Sequence, residues 1–587
     1  MFFDRWPLLR GGTLRVRARA MLPSGLRATL GEYARSALRD DLVGALIVSV
    51  LLIPQSLAYA LLAGLPPQVG LYASLLPLVA YAALGSSPAL AVGPAAVLAL
   101  MIGQAIAAVP ADVSPHAAAL VLAAEVGALL AVAAWLRLDA LAALLSVPVL
   151  RGFENGATLS ITLSQLPVLL GSSARGSNLP DVLQSWWHAS TVWLPFTALY
   201  GGVALLLLWL ARRHAIDWLA RRMSGRSAAM LVRLVPLVVL MLAIVVAALT
   251  NAKAHGVTLV GALPELAPTF GLPPLRAALW WQLLPSAALI ALVAFVSSLV
   301  VAEALARRQG TRIDARRELA GLGAANLAAS ISSGMPVAGS FSRSVVNVDA
   351  GSRTRMAGVF TALAMALAML LLAKPLAALP TAVLAATIII AVLSGLDWQP
   401  FREAWQYSRS ECVLMWLVAV LTVLAGAAWA LGVGVAASIA LLLQRTARPH
   451  VALIGRVPGT EHYRNIGRHE VELTPGVVGL RIDESLLFTN ARQLSDVVAS
   501  YVAEHPDARR VVLLMSPVNR IDFSGLEALR ALQSTLAERG IRLDLSEVKG
   551  PVLDALRAGH WEQWFRGRVF LSHHQGMQAE RPGAGSD

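Results

Sequence analysis

Gly334-Met-Pro-Val-Ala-Gly-Ser-Phe-Ser-Arg343, continuing to Asp349-Ala-Gly351, interrupts an apolar region where an ordinary membrane-spanning helix would run unbroken. A second interruption, Gly85-Ser-Ser-Pro-Ala-Leu-Ala-Val-Gly-Pro94, lies in the other half of the chain, before a modest helix to about Ile106. Lipid offers no partner to a free N–H or C=O, so irregular backbone survives at membrane depth only under protein cover or beside a cavity. Paired interruptions in opposite halves point to the midplane site of a transporter. The plainer alternative is a pair of re-entrant turns near an interface. Arg343 weighs against it, because an intramembrane arginine costs at least ~2.5 kcal/mol on insertion scales. Ser340, Ser342 and Ser344 supply hydroxyls beside it, and a helix starting there offers free N–H groups. Donors dominate, which is the chemistry an anion needs. A structural pair of Arg343 with Asp349, Glu303 or Glu125 remains an alternative.

The surrounding composition fits this reading. Of 587 residues, 57% are hydrophobic and 14% charged, against about 25% charged in soluble proteins. With a mean hydropathy of +0.65, the chain is expected to be a polytopic α-helical membrane protein. Its one cysteine, Cys412, excludes an intrachain disulfide and a multi-cysteine metal site. The eleven histidines fall mainly in loops or near the C-terminus, which argues against a histidine metal site in the membrane. A net charge of +13 reads here as cytoplasmic arginine and not as nucleic-acid affinity.

Between 41 and 447 there are about fourteen apolar spans, several of them short. They begin near Leu42, Val69, Ala89, Ala117, Asn155, Val192, Met230, Leu283, Leu319, Pro336, Met356, Leu376, Cys412 and Ala428, with the boundary around Ser146–Arg151 ambiguous. The spans lack two-residue alternation, so a β-barrel is not expected. Arginines crowd residues 1–40, an arm carrying Arg5, Arg10, Arg15, Arg17, Arg19, Arg27, Arg35 and Arg39. They also follow the sixth (Arg212, Arg213, Arg221, Arg222, Arg226), eighth (Arg307, Arg308, Arg312, Arg316, Arg317) and tenth (Arg353, Arg355) spans and the last (Arg445, Arg448). Intervening loops hold only Arg175, Lys253, Arg276 and Lys374, so both termini are expected in the cytoplasm and the protein in the plasma (inner) membrane. The arm reads as a solvated tail, with anionic lipid contact as the alternative. No signal peptide is evident. After a linker at 448–466, residues 467–578 alternate strands (Val477–Ile482, Arg510–Met515, Ile541–Leu545) with helices (Ala491–Val502, Ser524–Glu538), which indicates a small α/β domain. The tail at 579–587 reads as disordered.

Several stretches resemble the sulfate permease (SulP) / solute carrier family 26 anion transporters. They are Leu52-Ile-Pro-Gln-Ser-Leu-Ala-Tyr-Ala60, Pro67-Gln-Val-Gly-Leu-Tyr72, Gly152-Phe-Glu-Asn-Gly156 with Gln165-Leu166, Glu318-Leu-Ala-Gly-Leu-Gly-Ala-Ala-Asn326 and Gly339-Ser-Phe-Ser-Arg-Ser-Val-Val-Asn347. Asn519-Arg-Ile-Asp-Phe-Ser-Gly-Leu526 resembles the STAS domain that these transporters carry. The resemblance implies a 7+7 inverted repeat, a core domain moving against a gate domain, a cytoplasmic STAS domain and a homodimer. It also implies an anion site between the N-termini of the third and tenth helices. Carried over, those ends are Pro94, Ala95 and Ala96 with Ser340, Phe341, Ser342 and Arg343, joined by Gln55 and Tyr59 on the first span. Apolar packing is the plainer role for the last two.

The expected function is secondary transport of a small inorganic anion, sulfate first, by proton symport or exchange, without metal or cofactor. Bicarbonate, chloride or dicarboxylate are the alternatives within the family, and protons or sodium are candidate coupling ions. Ser297 falls where many members have a glutamate linked to coupling; Glu303 is the nearby substitute candidate. Its plainer role is an i,i+4 pair with Arg307. In the STAS motif, Asp522 and Ser524 read as caps of the following helix. An enzyme would want converging His, Asp, Glu or Cys, which are scarce at membrane depth. A receptor with STAS output would not need two broken helices, and a nucleobase carrier would show paired acids.

Overall fold

A computed structural model describes residues 35–139, 145–174, 176, 178–189, 193–215, 221, 225–261, 268–447 and 450–579. Most of the basic arm (Arg5 to Arg27), Arg175, Arg222, Arg448 and the tail beyond residue 579 lie outside them. The chain divides into two compact units between Ser438 and Ile439.

The first unit is helical. Its first half runs α1 (Arg35–Leu62), α2 (Pro67–Tyr72), α3 (Leu76–Leu84), β1 (Val92–Gly93), α4 (Ala96–Ala107), α5 (Pro115–Trp135), α6 (Val147–Leu170), α7 (Leu179–Trp187), α8 (Pro195–Leu210) and α9 (Gly225–Leu249). The second half runs α10 (Ala277–Gln309), α11 (Ala315–Ile331), β2 (Ala338–Gly339), α12 (Phe341–Asp349), α13 (Met356–Ala377), α14 (Thr381–Leu393), α15 (Gln399–Tyr407), α16 (Arg409–Leu424) and α17 (Ala427–Ala447). Among the described residues, seven helices are long and apolar enough to cross a membrane, and Ala96–Ala107, Leu234–Leu249 and Thr381–Leu393 are shorter apolar ones. The span expected from Asn155 starts earlier, at Val147, because Pro148 suits the first turn of a helix. Local signals set other ends as well. Ser114 caps α5 by accepting the Ala117 N–H at 3.2 Å, and Asp314 caps α11 through the Arg317 N–H at 3.1 Å.

Packing sorts these helices into two groups. α5 packs on α10 and α11, α3 on α11, and α1 on α13; in the other group α6 packs on α14 and α16, and α8 on α14. Small residues permit the close crossings: a Cβ on Gly127 of α5 would come 2.7 Å from the Leu327 backbone nitrogen of α11. The chain's two interruptions meet inside the first group. β1 and β2 pair antiparallel, Val92 opposite Gly339 and Gly93 opposite Ala338.

The second unit holds β3 (Val451–Arg456), β4 (Tyr463–Asn465), β5 (Val477–Ile482), α18 (Ala491–Glu504), β6 (Arg510–Leu514), α19 (Phe523–Glu538), β7 (Arg542–Ser546), α20 (Gly550–Ala558), β8 (Val569–Phe570) and α21 (His573–Gln578). The sheet order is β4-β3-β5-β6-β7-β8, parallel from β5 to β8 and antiparallel at β3. Residues 448–466, expected as a linker, therefore contain two strands of the sheet. Val451-Ala-Leu-Ile-Gly455 is buried on both faces, and such strands read as continuous apolar runs without alternation. Leu480, Val511, Leu513, Leu543 and Leu545 pack against Leu494, Val498, Leu529 and Leu532 on one face. Ile454, Val512 and Met577 form a smaller cluster on the other.

Candidate functional site

Two short helices begin where the interrupted segments meet. The residue before α4 is Ala95 and the residue before α12 is Ser340, and neither places a side chain on the first-turn N–H groups. Each N-terminus thus presents a partial positive charge of about +0.5. Arg343, in the first turn of α12, is the largest fully buried side chain among the described residues, and its guanidinium lies beside Gly93, just before α4. Its Nη1 donates to Gln55 Oε1 of α1 at 3.0 Å, while Nε and Nη2 make no hydrogen bond among the described residues. Arg343 takes none of Asp349, Glu303 or Glu125 as a partner among the described residues. With the guanidinium counted as about +1, the local charge sums to about +2.

The irregular backbone is held by polar side chains, of which the sequence reading singled out only Ser344, and for a different role. Ser298 Oγ of α10 accepts the Gly339 N–H at 2.8 Å, and Ser344 Oγ accepts the Ala91 N–H at 2.9 Å. Asn326 grips both backbone groups of Val337, accepting its N–H at 2.9 Å and donating to its carbonyl at 3.1 Å. Asn347 donates to the Ala89 carbonyl at 3.3 Å. Every one of these meets a group that lipid would leave unpaired. A polar residue on an otherwise apolar face, as with Asn326 among alanines and glycines, was the available signal.

The sequence-expected residues separate into four places. Gln55 and Tyr59 line a cavity of about 90 Å³ between α1 and the other helix group, faced by Leu208, Pro236, Thr387 and Ile390. Pro94, Ala95 and Ala96 with Ser340, Phe341, Ser342 and Arg343 form the paired helix starts beside it and do not line that cavity. Gln55 joins the two, since it lines the cavity and holds Arg343. Phe341 is 58% exposed, and Ser340 Oγ lies 3.4 Å from Ser342 Oγ. Glu303 stands apart. It is half exposed and pairs with Arg307 at 3.7 Å, so the plainer role describes its geometry. Ser297 Oγ is spent on the Val293 carbonyl of its own helix at 2.6 Å; the adjacent Ser298 is the one that reaches the site. In the second unit Asp522 caps α19 through the Gly525 N–H at 2.8 Å and also accepts the Phe488 N–H at 2.7 Å. Ser524 is exposed at the same helix start. No group of three or more metal-ligating side chains converges among the described residues.

The sequence profile of the sulfate permease family matches residues 38–419, and that of the STAS domain matches residues 468–576. A probable sulfate transporter 4.2 of Arabidopsis thaliana is 34% identical over 552 residues, covering 90% of this chain and 80% of the relative. A probable sulfate transporter of Mycobacterium tuberculosis is 34% identical over 535 residues, covering 90% of this chain and 92% of the relative. Among solved structures, the murine Solute Carrier 26 family member A9 anion transporter superposes with a TM-score of 0.83 at 22% identity, covering 99% of this chain and 98% of that one. The transmembrane domain of the cyanobacterial bicarbonate transporter BicA gives 0.59 at 22% identity, covering 69% of this chain and 98% of that one.

Proposed function

Because the chain belongs to the sulfate permease family, whose members are transporters and not enzymes, we propose that it carries sulfate across a membrane by secondary transport. The observation that carries the site assignment is Arg343, buried with two unpaired nitrogens at the start of α12 and beside Gly93 before α4, both helices lacking side-chain caps. A local charge of about +2 matches a divalent oxyanion. A site of donors without acceptors suits sulfate, which accepts and does not donate at neutral pH. In this reading Gln55 and Tyr59 form the cavity wall through which the ion reaches Arg343. The arginine-rich loops support a plasma-membrane protein with both termini cytoplasmic, working as a homodimer by proton symport or anion exchange.

Purified protein in proteoliposomes, offered labelled sulfate, bicarbonate, a dicarboxylate and uracil, tests the substrate. Sulfate uptake is expected in the wild type, with Arg343→Ala abolishing it or changing the anion preferred. Wild-type rate and preference in a folded Arg343→Ala protein would remove the site assignment. Uptake of bicarbonate in place of sulfate would reassign the substrate.

A further inference from the structure

Glu318 opens the Glu318-Leu-Ala-Gly-Leu-Gly stretch of α11 and is wholly buried, yet it touches neither helix start. Its carboxylate takes four donors. Oε2 accepts the Tyr81 hydroxyl at 2.7 Å; Oε1 accepts the Ser86 N–H at 2.9 Å, the Ser86 hydroxyl at 2.6 Å and the Ser87 N–H at 2.8 Å. A buried carboxylate is tolerated only when saturated in this way. Arg355 Nη1 donates to the Gly85 carbonyl at the same turn. From Ser87 the bracing continues: its hydroxyl accepts the Ala89 and Leu90 N–H groups. Asn347 and Ser344 then hold Ala89 and Ala91, and β1 and α4 follow. Two turns along the same helix, Asn326 grips Val337, the residue before β2.

We infer that Glu318 is a positioning residue for the anion site: with Asn326 it makes α11 a strut that fixes both crossing strands, and so the spacing of the two helix starts. The inference rests on the site reading proposed above. A carboxylate is suited to this place because three N–H or O–H donors converge on one oxygen. Glutamine keeps that oxygen, and its amide can donate to Tyr81 in place of accepting from it. Alanine abandons all four donors.

The test is the sulfate concentration dependence of uptake by the full chain in proteoliposomes. Glu318→Ala is expected to raise KM roughly tenfold or more, proportionately more than it lowers the maximal rate, while Glu318→Gln stays within about threefold of wild type. A merely structural role would cut the yield of folded protein and leave the KM of the folded fraction unmoved. Wild-type KM in folded Glu318→Ala, or glutamine no better than alanine, overturns the inference. Should Glu318→Ala not fold, Tyr81→Phe and Ser86→Ala each remove part of the clamp and are expected to raise KM about threefold; wild-type KM in both has the same overturning force. If the wild type takes up none of the anions offered, the functional reading fails by itself. Amide hydrogen exchange at residues 85–93 then reads the clamp, faster exchange in Ser86→Ala supporting it and unchanged exchange overturning it.

Discussion

Gly93 has a φ of +153°, and a Cβ built on it would lie 3.4 Å from Arg343 Nη2. An L side chain there strains the backbone by about 1–3 kcal/mol and comes into van der Waals contact with the guanidinium. Gly93→Ala is therefore expected to weaken sulfate binding severalfold, measured as KM in proteoliposomes, beyond what its lower melting temperature explains. An unchanged KM would mean that the guanidinium is free to shift. Glu303 makes the opposite case. Its pair with Arg307 is half exposed and one turn long, and such pairs contribute roughly 0.3–0.5 kcal/mol. Glu303→Gln is expected to leave both the uptake rate and its pH profile as they are. A flattened profile would return the coupling proton to this carboxylate. The sequence offered both roles for Glu303, and the pair with Arg307 is the one present in the structure. It did not offer Gln55 as the partner of Arg343, since only the fold brings together residues 288 positions apart.

At the scale of elements, the two interruptions were legible because glycine, proline and serine break an apolar pattern. Their pairing through β1 and β2 was not, because two-residue strands leave no periodicity and the partners lie in opposite halves. What holds them was hidden for a related reason: serine on a membrane helix usually turns back on its own backbone. Ser297 does this and Ser298 also donates to Ala294, yet Ser298 Oγ accepts the Gly339 N–H as well. Removing Ser298 leaves a buried N–H without its acceptor, a loss of about 1–3 kcal/mol. Ser298→Ala is expected to lower the melting temperature in detergent clearly, and Ser297→Ala hardly at all. Equal shifts from the two variants would deny Ser298 its bracing role. β3 was read as linker for a different reason: Val451–Gly455 is a short run buried on both faces, so it lacks the two-residue alternation that marks a half-buried strand.

For the molecule as a whole, the two units divide the work by the chemistry they contain. The buried cation and the two helix starts belong to the first unit, so removing residues 450–587 is expected to leave anion preference unchanged while reducing assembly or rate. Altered preference in the truncated carrier would give the second unit a part in selection. That unit carries its own pH response through His573, which packs edge-on against Tyr463 at a centroid distance of 4.8 Å. Its Nδ1 lies 2.7 Å from Ser546 Oγ, which also lies 3.2 Å from the Leu513 carbonyl. Nε2 is buried and unpartnered, and burial pushes the imidazole from an ordinary 6.5 down to about 4. Between those values the unfolded chain holds a proton that the folded one refuses, so stability is present above about pH 6.5 and falls, by up to a few kcal/mol, as the pH drops toward 4. Asp483 acts in a lower window. Although burial opposes its ionisation, hydrogen bonds from Arg481 and His450 hold its carboxyl below the ordinary range, so its contribution is lost only once the pH falls below about 4. Amide hydrogen exchange at residues 573–578 in the full-length protein is expected to quicken, after correction for intrinsic rates, between pH 6.5 and 4. His573→Gln should flatten that segment of the profile and keep the step below pH 4. If the variant retains the full slope from 6.5 to 4, the proton enters elsewhere and His573 is only packing.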